Sequence, residues 1–463
     1  MNTPLLLPLF AAVALASPAF AAAPAAPAAT NAPPWLTQPL SVRECIDLAL
    51  EQNSAVLRSR QDIEAAYGVS VQARAITRPR VNFTGNYTLT DRGAIEDFGF
   101  AGAPRTSDQT WALGLQVTKS IYEGGRIRQA GRIADLTRDH ALFAHQSVLL
   151  DTVLAVRVAY DDALLAAQQI MVQDASVKLL QKELEDTMRR FEAGTVPRFN
   201  VLRAEVEIAN ARPRVIKARN ALRIARNNLV NSLGYSLPPT VNEEIPLQLS
   251  GRLEAAPLDM DLPGAVARAF EGRTELIALR KSQELRREAI LTAEAARKPS
   301  AQVFAGGTSH NRRFSNNPTR DVSGWNLGAQ MTWNIFDGKL TDGKVQEAVA
   351  LHRRAGEELS DVTRRIELEV RIGWSNFIEA KEVLESQKKV QEQGEEALRL
   401  ANARAEAGTG TQLDVLNAQT ALTEARTTQI QALHAYSVAR SRLERAVGVK
   451  FEVQKEPAAG NKP

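Results

Sequence analysis

The chain has 463 residues, 44% of them hydrophobic but only 5% aromatic, which is lean for several compact globular cores and favours Ala-rich helices packed at close range. Its 57 basic and 53 acidic residues leave a net charge of +4 scattered along the helical stretches, so no nucleic-acid-binding patch is expected. The single cysteine excludes an internal disulfide, and beyond the first residues no stretch reaches the roughly 18 to 20 apolar residues of a membrane-spanning helix.

The chain opens with MNTPLLLPLFAAVALASPAFA, an apolar run from Leu5 to Leu15 followed by the small-x-small pattern Ala19-Phe20-Ala21. Residues 1–21 therefore read as a secretory signal peptide, although its start lacks Lys and Arg. No cysteine follows the cut site to carry a lipid. Residues 22–40 form an Ala/Pro-rich leader with no means of building a core.

A helix is expected over 41–76, with Cys45 as a small buried apolar residue rather than a reactive thiol. Residues 80–90 then alternate, with Val81, Phe83, Gly85, Tyr87 and Leu89 opposing Arg80, Asn82, Thr84, Asn86, Thr88 and Thr90. Residues 110–121 follow with Trp111, Leu113, Leu115 and Val117 on the apolar face, where Lys119 intrudes and must snorkel. Both read as strands with one lipid face and one wet face.

No proline lies between Pro104 and Pro197, and from Gly124 to Glu192 the chain is rich in good helix formers. A helix of that length spans roughly 100 Å. The turn Ala193 to Pro197 leads into a helix over 198–233, which Pro213 should kink. Residues 41–234 make one repeat, and 235–258 link it to the next.

The repeat is legible in the letters. WALGLQVTKSIYEGGR at 111–126 recurs as WNLGAQMTWNIFDGKL at 325–340, EAGTVPRFNVLRA at 192–204 as EAGTGTQLDVLNA at 406–418, and Leu233-Gly234 as Val447-Gly448. A period this long is an internal duplication, not a solenoid. The second repeat, 259–449, accordingly carries a helix over 259–296, strands over 300–308 and 324–335, a long helix over 338–406 and a helix over 412–447. Strand 300–308 is the weakest, because Phe304 sits on its polar face. Along the long helix, Val345, Ala348, His352, Ala355, Leu359, Val362, Ile366, Val370, Gly373, Phe377, Ala380 and Leu384 step by three or four residues, the signature of coiled-coil-like packing. The simplest geometry stacks two short helices end to end beside each long antiparallel partner. Residues 450–463 form a short C-terminal tail.

Four strands leave two open edges, which lipid does not tolerate. Chains must therefore share a barrel, two giving eight strands and three giving twelve. Trp325 and Trp333 are spaced for two interfacial aromatic girdles, and with Trp111 and Tyr87 they form the expected lipid-facing set.

In the order and duplicated spacing of these features the chain resembles the TolC-like outer-membrane efflux factor family over almost its full length. The strands running into Tyr122-Glu123-Gly124-Gly125 and Phe336-Asp337-Gly338, the turns Ala193-Gly194-Thr195 and Ala407-Gly408-Thr409, and Asp414-Val415-Leu416-Asn417-Ala418 carry the likeness. The resemblance implies a mainly α protein, with a homotrimeric helical tunnel through the periplasm and one trans-subunit β-barrel to which each chain gives four strands. It implies a passive duct in the outer membrane of a Gram-negative bacterium, served by a periplasmic adaptor (a membrane fusion protein) and an inner-membrane pump of RND, ABC or MFS type. Small molecules are the expected cargo, with secreted proteins in a type I system as the alternative, and a non-conducting periplasmic scaffold as a reading from another class.

The same resemblance makes Gly194, Thr195, Val196, Pro197, Gly408, Thr409 and Gly410 the tip that meets the adaptor. It places Asp414, Asn417, Asn200 and Arg203 at the pore constriction, with Arg198 a further compensating charge. Asn417, Gly410 and Ala405 stand where well-known members carry an acid, an arginine and a tyrosine, so the family's familiar lock is not reproduced. Three copies of Asp414 around one axis would form a carboxylate ring in which like charges raise at least one pKa, while as a first-turn residue Asp414 also supports its helix dipole. His140 and His145 are five apart, off one helix face, so no metal or other cofactor is expected. No nucleophile or phosphate-binding motif appears, which argues against an enzyme.

Overall fold

The computed structural model describes residues 38–95, 106–236, 245–312 and 320–449. The signal peptide, residues 22–37 of the leader, 237–244 of the linker and the tail 450–463 lie outside the described residues.

A two-residue strand β1 (Pro39–Leu40) precedes α1 (Val42–Gln52) and α2 (Ser54–Ala75); β2 (Arg80–Leu89) and β3 (Gln109–Glu123) lead into α3 (Arg126–Glu192) and α4 (Arg198–Leu233). Strand β4 (Gln248–Leu249) pairs in parallel with β1. The second repeat runs α5 (Leu262–Gly272), α6 (Thr274–Glu294), β5 (Ser300–Asn311), β6 (Asp321–Thr332), α7 (Leu340–Glu406) and α8 (Gln412–Val447). The long helices α3 and α7 have 67 residues each and α4 and α8 have 36 each. At 1.5 Å per residue, α3 and α7 are about 100 Å long. Helix α4 runs through Pro213 without interruption.

Each helix expected over 41–76 and 259–296 is broken into two. The breaks fall at Asn53 (φ −62°, ψ 128°) and Arg273 (φ −69°, ψ 117°), which are equivalent positions of the two repeats. Both breaks receive the end of another helix. Asn53 caps α2 and donates from Nδ2 to the carbonyl of Ser232 at 2.9 Å, while Arg273 Nη1 donates to the carbonyls of Arg445 and Ala446 at 3.0 and 3.3 Å. Carbonyls left open at the ends of α4 and α8 are thereby satisfied.

The two main cores gather around these junctions and repeat with the sequence. Val156 and Val370, and Leu229 and Leu443, are all fully buried. Cys45 and its counterpart Ala265 are also fully buried, and burial pushes the thiol up to about 12, as befits a small apolar residue. On α7 the predicted line holds, with Ile366, Val370, Phe377 and Ala380 buried and its other members half-buried.

The helices form one layer in the order α2 and α4, then α3, then α6 and α8, then α7, with the short helices following one another along the long ones. The sheet follows the same order, β2-β3-β5-β6, antiparallel throughout. Strand β6 starts three residues earlier than expected and ends at Thr332, so Trp333 lies just past it and donates from Nε1 to the Arg297 carbonyl at 3.0 Å. Strand β5 extends to Asn311 and is a full partner. Phe304 pairs with Gly328, where an added Cβ would sit 2.6 Å from the phenyl ring, so the missing side chain makes room for an aromatic on the polar face.

Candidate channel wall and tip

The sheet has two unlike faces. Register aligns Val81, Val117, Ala305 and Leu327 in one row and Phe83, Leu115, Gly307 and Trp325 in the next, with Tyr87 opposite Trp111 further out. Phe83, Trp325, Leu327 and Met331 are 65% or more exposed in the single chain, an apolar face that no other described element covers. Rows of the other face are polar, as in Ser120, Gln302 and Gln330. The register shifts between Ser120 and Tyr122, so Ile121 is a bulge. Past it Tyr122 aligns with Ala301 and Met331 on the apolar face, just below the row of Lys119, Val303 and Ala329. Simple alternation through this segment hides that tyrosine.

At the opposite end, α3 and α7 close in matching turns. Gly194 (φ 73°) and Gly408 (φ 71°) hold the left-handed conformation that glycine adopts without strain. The amides and hydroxyls of Thr195 and Thr409 then return to the carbonyls of Arg190 and Arg404. Pro197 stands at the start of α4, with Val196 half-buried beside it, and the Gly410 amide donates to the Arg404 carbonyl at 2.9 Å. The seven predicted tip residues thus make up two corresponding turns.

Asp414 closes a capping box. Its carboxylate accepts from the Thr411 amide at 2.9 Å and the Thr411 hydroxyl at 2.8 Å, and its own amide donates to the Thr411 hydroxyl at 3.3 Å. The Thr411 amide and hydroxyl, with the Arg404 charge, hold this fully exposed carboxyl below the usual carboxylate range. Within one chain the helix-supporting role therefore accounts for Asp414. Asn417 is exposed one turn further on, and in the other repeat Asn200 and Arg203 are half-buried in the first turns of α4.

One tip contact is not legible in the sequence. Gln412 Nε2 donates to Glu183 Oε1 at 3.1 Å and bonds Thr187, tying the start of α8 to α3. Leu416 packs beneath it with Leu180 and Ile208. Burial raises the pKa of Glu183 while the Gln412 bond opposes that rise. A Gln that far away in sequence gives no local signal; only the packing of α3 on α8 brings the residues together.

Comparison with known proteins agrees with this geometry. The sequence model of the family described as "Outer membrane efflux protein" matches residues 45–235 and 265–449. The chain is similar to the outer membrane protein TolC of Escherichia coli (strain K12), 23% identical over 435 residues, covering 90% of this chain and 84% of TolC. It is also similar to the cobalt-zinc-cadmium resistance protein CzcC of Cupriavidus metallidurans, 25% identical over 454 residues, covering 96% of this chain and 99% of CzcC. Among solved structures, the Campylobacter jejuni CmeC outer membrane channel superposes with a TM-score of 0.74 at 14% identity, covering 90% of this chain and 87% of CmeC. With repeat, sheet, helical layer and family match in agreement, the chain belongs to the outer membrane efflux protein family, the TolC-like passive channels of the Gram-negative outer membrane.

Proposed function

We propose that three copies of this chain form one exit duct, a shared twelve-stranded barrel in the outer membrane continued by a helical tunnel through the periplasm. One observation carries the reading: the sheet and the helical layer are both open, at the same two margins. Among the described residues, strands β2 and β6 have unpaired outer edges. Below them, α4 exposes Phe199, Leu202, Val206, Ile216 and Ile224, and α7 exposes Leu368, Ile372, Val383, Val390 and Leu400. Apolar stripes at helical spacing on both flanks are surfaces for neighbouring copies. Two chains would supply eight strands, a barrel filled by its own side chains, whereas twelve leave a bore.

In this assembly the apolar face with Tyr87, Trp111 and Trp325, and Trp333 beside it, meets lipid, and the polar face lines the water-filled passage. Residues 1–21 direct export, and the repeats 41–234 and 259–449 build the wall. The turns at Gly194, Thr195, Val196, Pro197, Gly408, Thr409 and Gly410 meet a periplasmic adaptor coupled to an inner-membrane pump of RND, ABC or MFS type. Asp414, Asn417, Asn200 and Arg203 face the narrow end. Small molecules are the cargo, which the match to a cobalt-zinc-cadmium resistance protein over nearly its whole length supports.

Purified protein in planar bilayers tests the duct and its narrow end together. The native chain is expected to give small ion currents and Asp414→Ala larger ones, because that substitution removes both the carboxylate and its capping box. Absence of current from both would contradict the duct.

A further inference from the structure

Where the polar face of the sheet meets the helices there is a recess of about 580 Å³. Its floor is strand surface, Ser120, Gln302, Gln330 and Thr332, and one wall is the small-residue surface of α6 around Ala289 and Ala293. Lys298, Lys344 and Arg126 also line it, against one carboxylate, Glu123.

That carboxylate is already engaged. It accepts from Arg126 Nε at 2.7 Å and from the Ser120 hydroxyl, and it lies in the field of Arg80, which the register places on the same polar face. Of the acids nearby, Asp342 pairs with Arg297 at 2.6 Å and Glu288 with Arg132 at 3.1 Å, while Glu294 and Glu347 are not among the residues that line the recess. Lys298 and Lys344 have no ion-pair partner among the described residues. They stand at one level, on the segment entering β5 and on the first turns of α7. A recess with a polar floor and unneutralised ammonium groups concentrates anions, and the surrounding low-dielectric protein focuses that field.

We propose that Lys298 and Lys344 form an anion-attracting collar at the passage from tunnel to barrel, which draws small solutes bearing an oxyanion group and sets the charge preference of the duct. This rests on the polar face lining the passage, as in the trimeric duct above. Three chains would place six such lysines around one bore, the arrangement by which charged rings select ions in channels. Lysine suits transit, because its ammonium is a hydrated point charge without the two-pronged grip of arginine.

Lys119 provides the internal control, since it lies at nearly the same height with Val303 and Ala329 on the opposite, apolar face. Reversal potentials are measured in planar bilayers under a KCl gradient. In Lys298→Gln/Lys344→Gln the chloride-to-potassium permeability ratio should fall about twofold or more, and block by inorganic tripolyphosphate should weaken. The Lys298→Arg/Lys344→Arg version should keep the native ratio, and so should Lys119→Gln. An unchanged ratio and unchanged block in the double Gln variant, or an equal change in Lys119→Gln, would overturn the collar. Absence of current from every version would instead count against the duct.

Discussion

Arg445 shows how much one side chain can hold together at the junction of the two repeats. Only 4% exposed, it donates from Nε to Asp151 of α3 at 2.7 Å and from Nη2 to Glu275 of α6, while its carbonyl receives Arg273. Arg273 in turn reaches Glu369 of α7 at 2.7 Å, so two buried guanidinium groups join four helices. Burial alone would raise the Glu275 pKa, but the Arg445 hydrogen bond and the charges of Arg273 and Arg445 hold it below its ordinary value of 4.5. A depressed carboxyl contributes stability above its unfolded pKa and loses it as pH falls through the folded one. Unfolding in detergent should therefore become easier below about pH 4.5, and Glu275→Gln should flatten that dependence. Arg445→Met leaves Glu275 without its closest cation and should cost about 2–3 kcal/mol, after allowance for the exposure of Asp151. An unaltered melting temperature in Arg445→Met would remove the cluster from the account.

Single glycines also shape whole elements, and Gly328 is the clearest case. Its missing side chain admits Phe304 to the polar face of β5, so Gly328→Val should prevent normal barrel assembly, seen as loss of heat-resistant oligomer on gels. Restoration by Phe304→Ala in the same chain would tie the defect to that contact; failure of both single and double variants to change assembly would refute it. The helix ends show which elements the sequence specifies locally. Helices α4 and α8 lie at the expected residues because Pro197, Gly234, Thr411 and Gly448 punctuate them with chemistry readable in order. The breaks at Asn53 and Arg273 have faint local signals, a capping side chain at Asn53 and Gly272 as the last residue of α5, which a continuous helical pattern masks. Asn53 caps α2 by accepting from the Ala55 amide, whereas the role of Arg273 itself, reaching the carbonyls of α8, depends on tertiary contact. In the tip, the capping box Thr411-x-x-Asp414 is legible from spacing, but the tie from Gln412 to Glu183 and Thr187 depends on tertiary contact. The bulge at Ile121 is hidden for a related reason: alternation gives faces only until pairing skips a residue.

At the scale of the molecule, the strand and helix orders coincide. Strand β2 continues α2, β3 enters α3, β5 continues α6 and β6 enters α7, so the sheet order β2-β3-β5-β6 repeats the layer order α2-α3-α6-α7. The wall is thus one sector made of strands at one end and helices at the other, unfinished at the same two margins throughout. Closing one margin by itself would leave the other exposed; only rotation of identical copies satisfies both, through heterologous contacts that end in a ring. In the proposed duct lipid imposes this closure on the strands, and the exposed apolar stripes of α4 and α7 extend it through the periplasm. The most direct test is the native mass of the detergent-extracted protein. Three chains per particle are predicted, whereas a stable particle of one or two chains would contradict the shared twelve-stranded barrel.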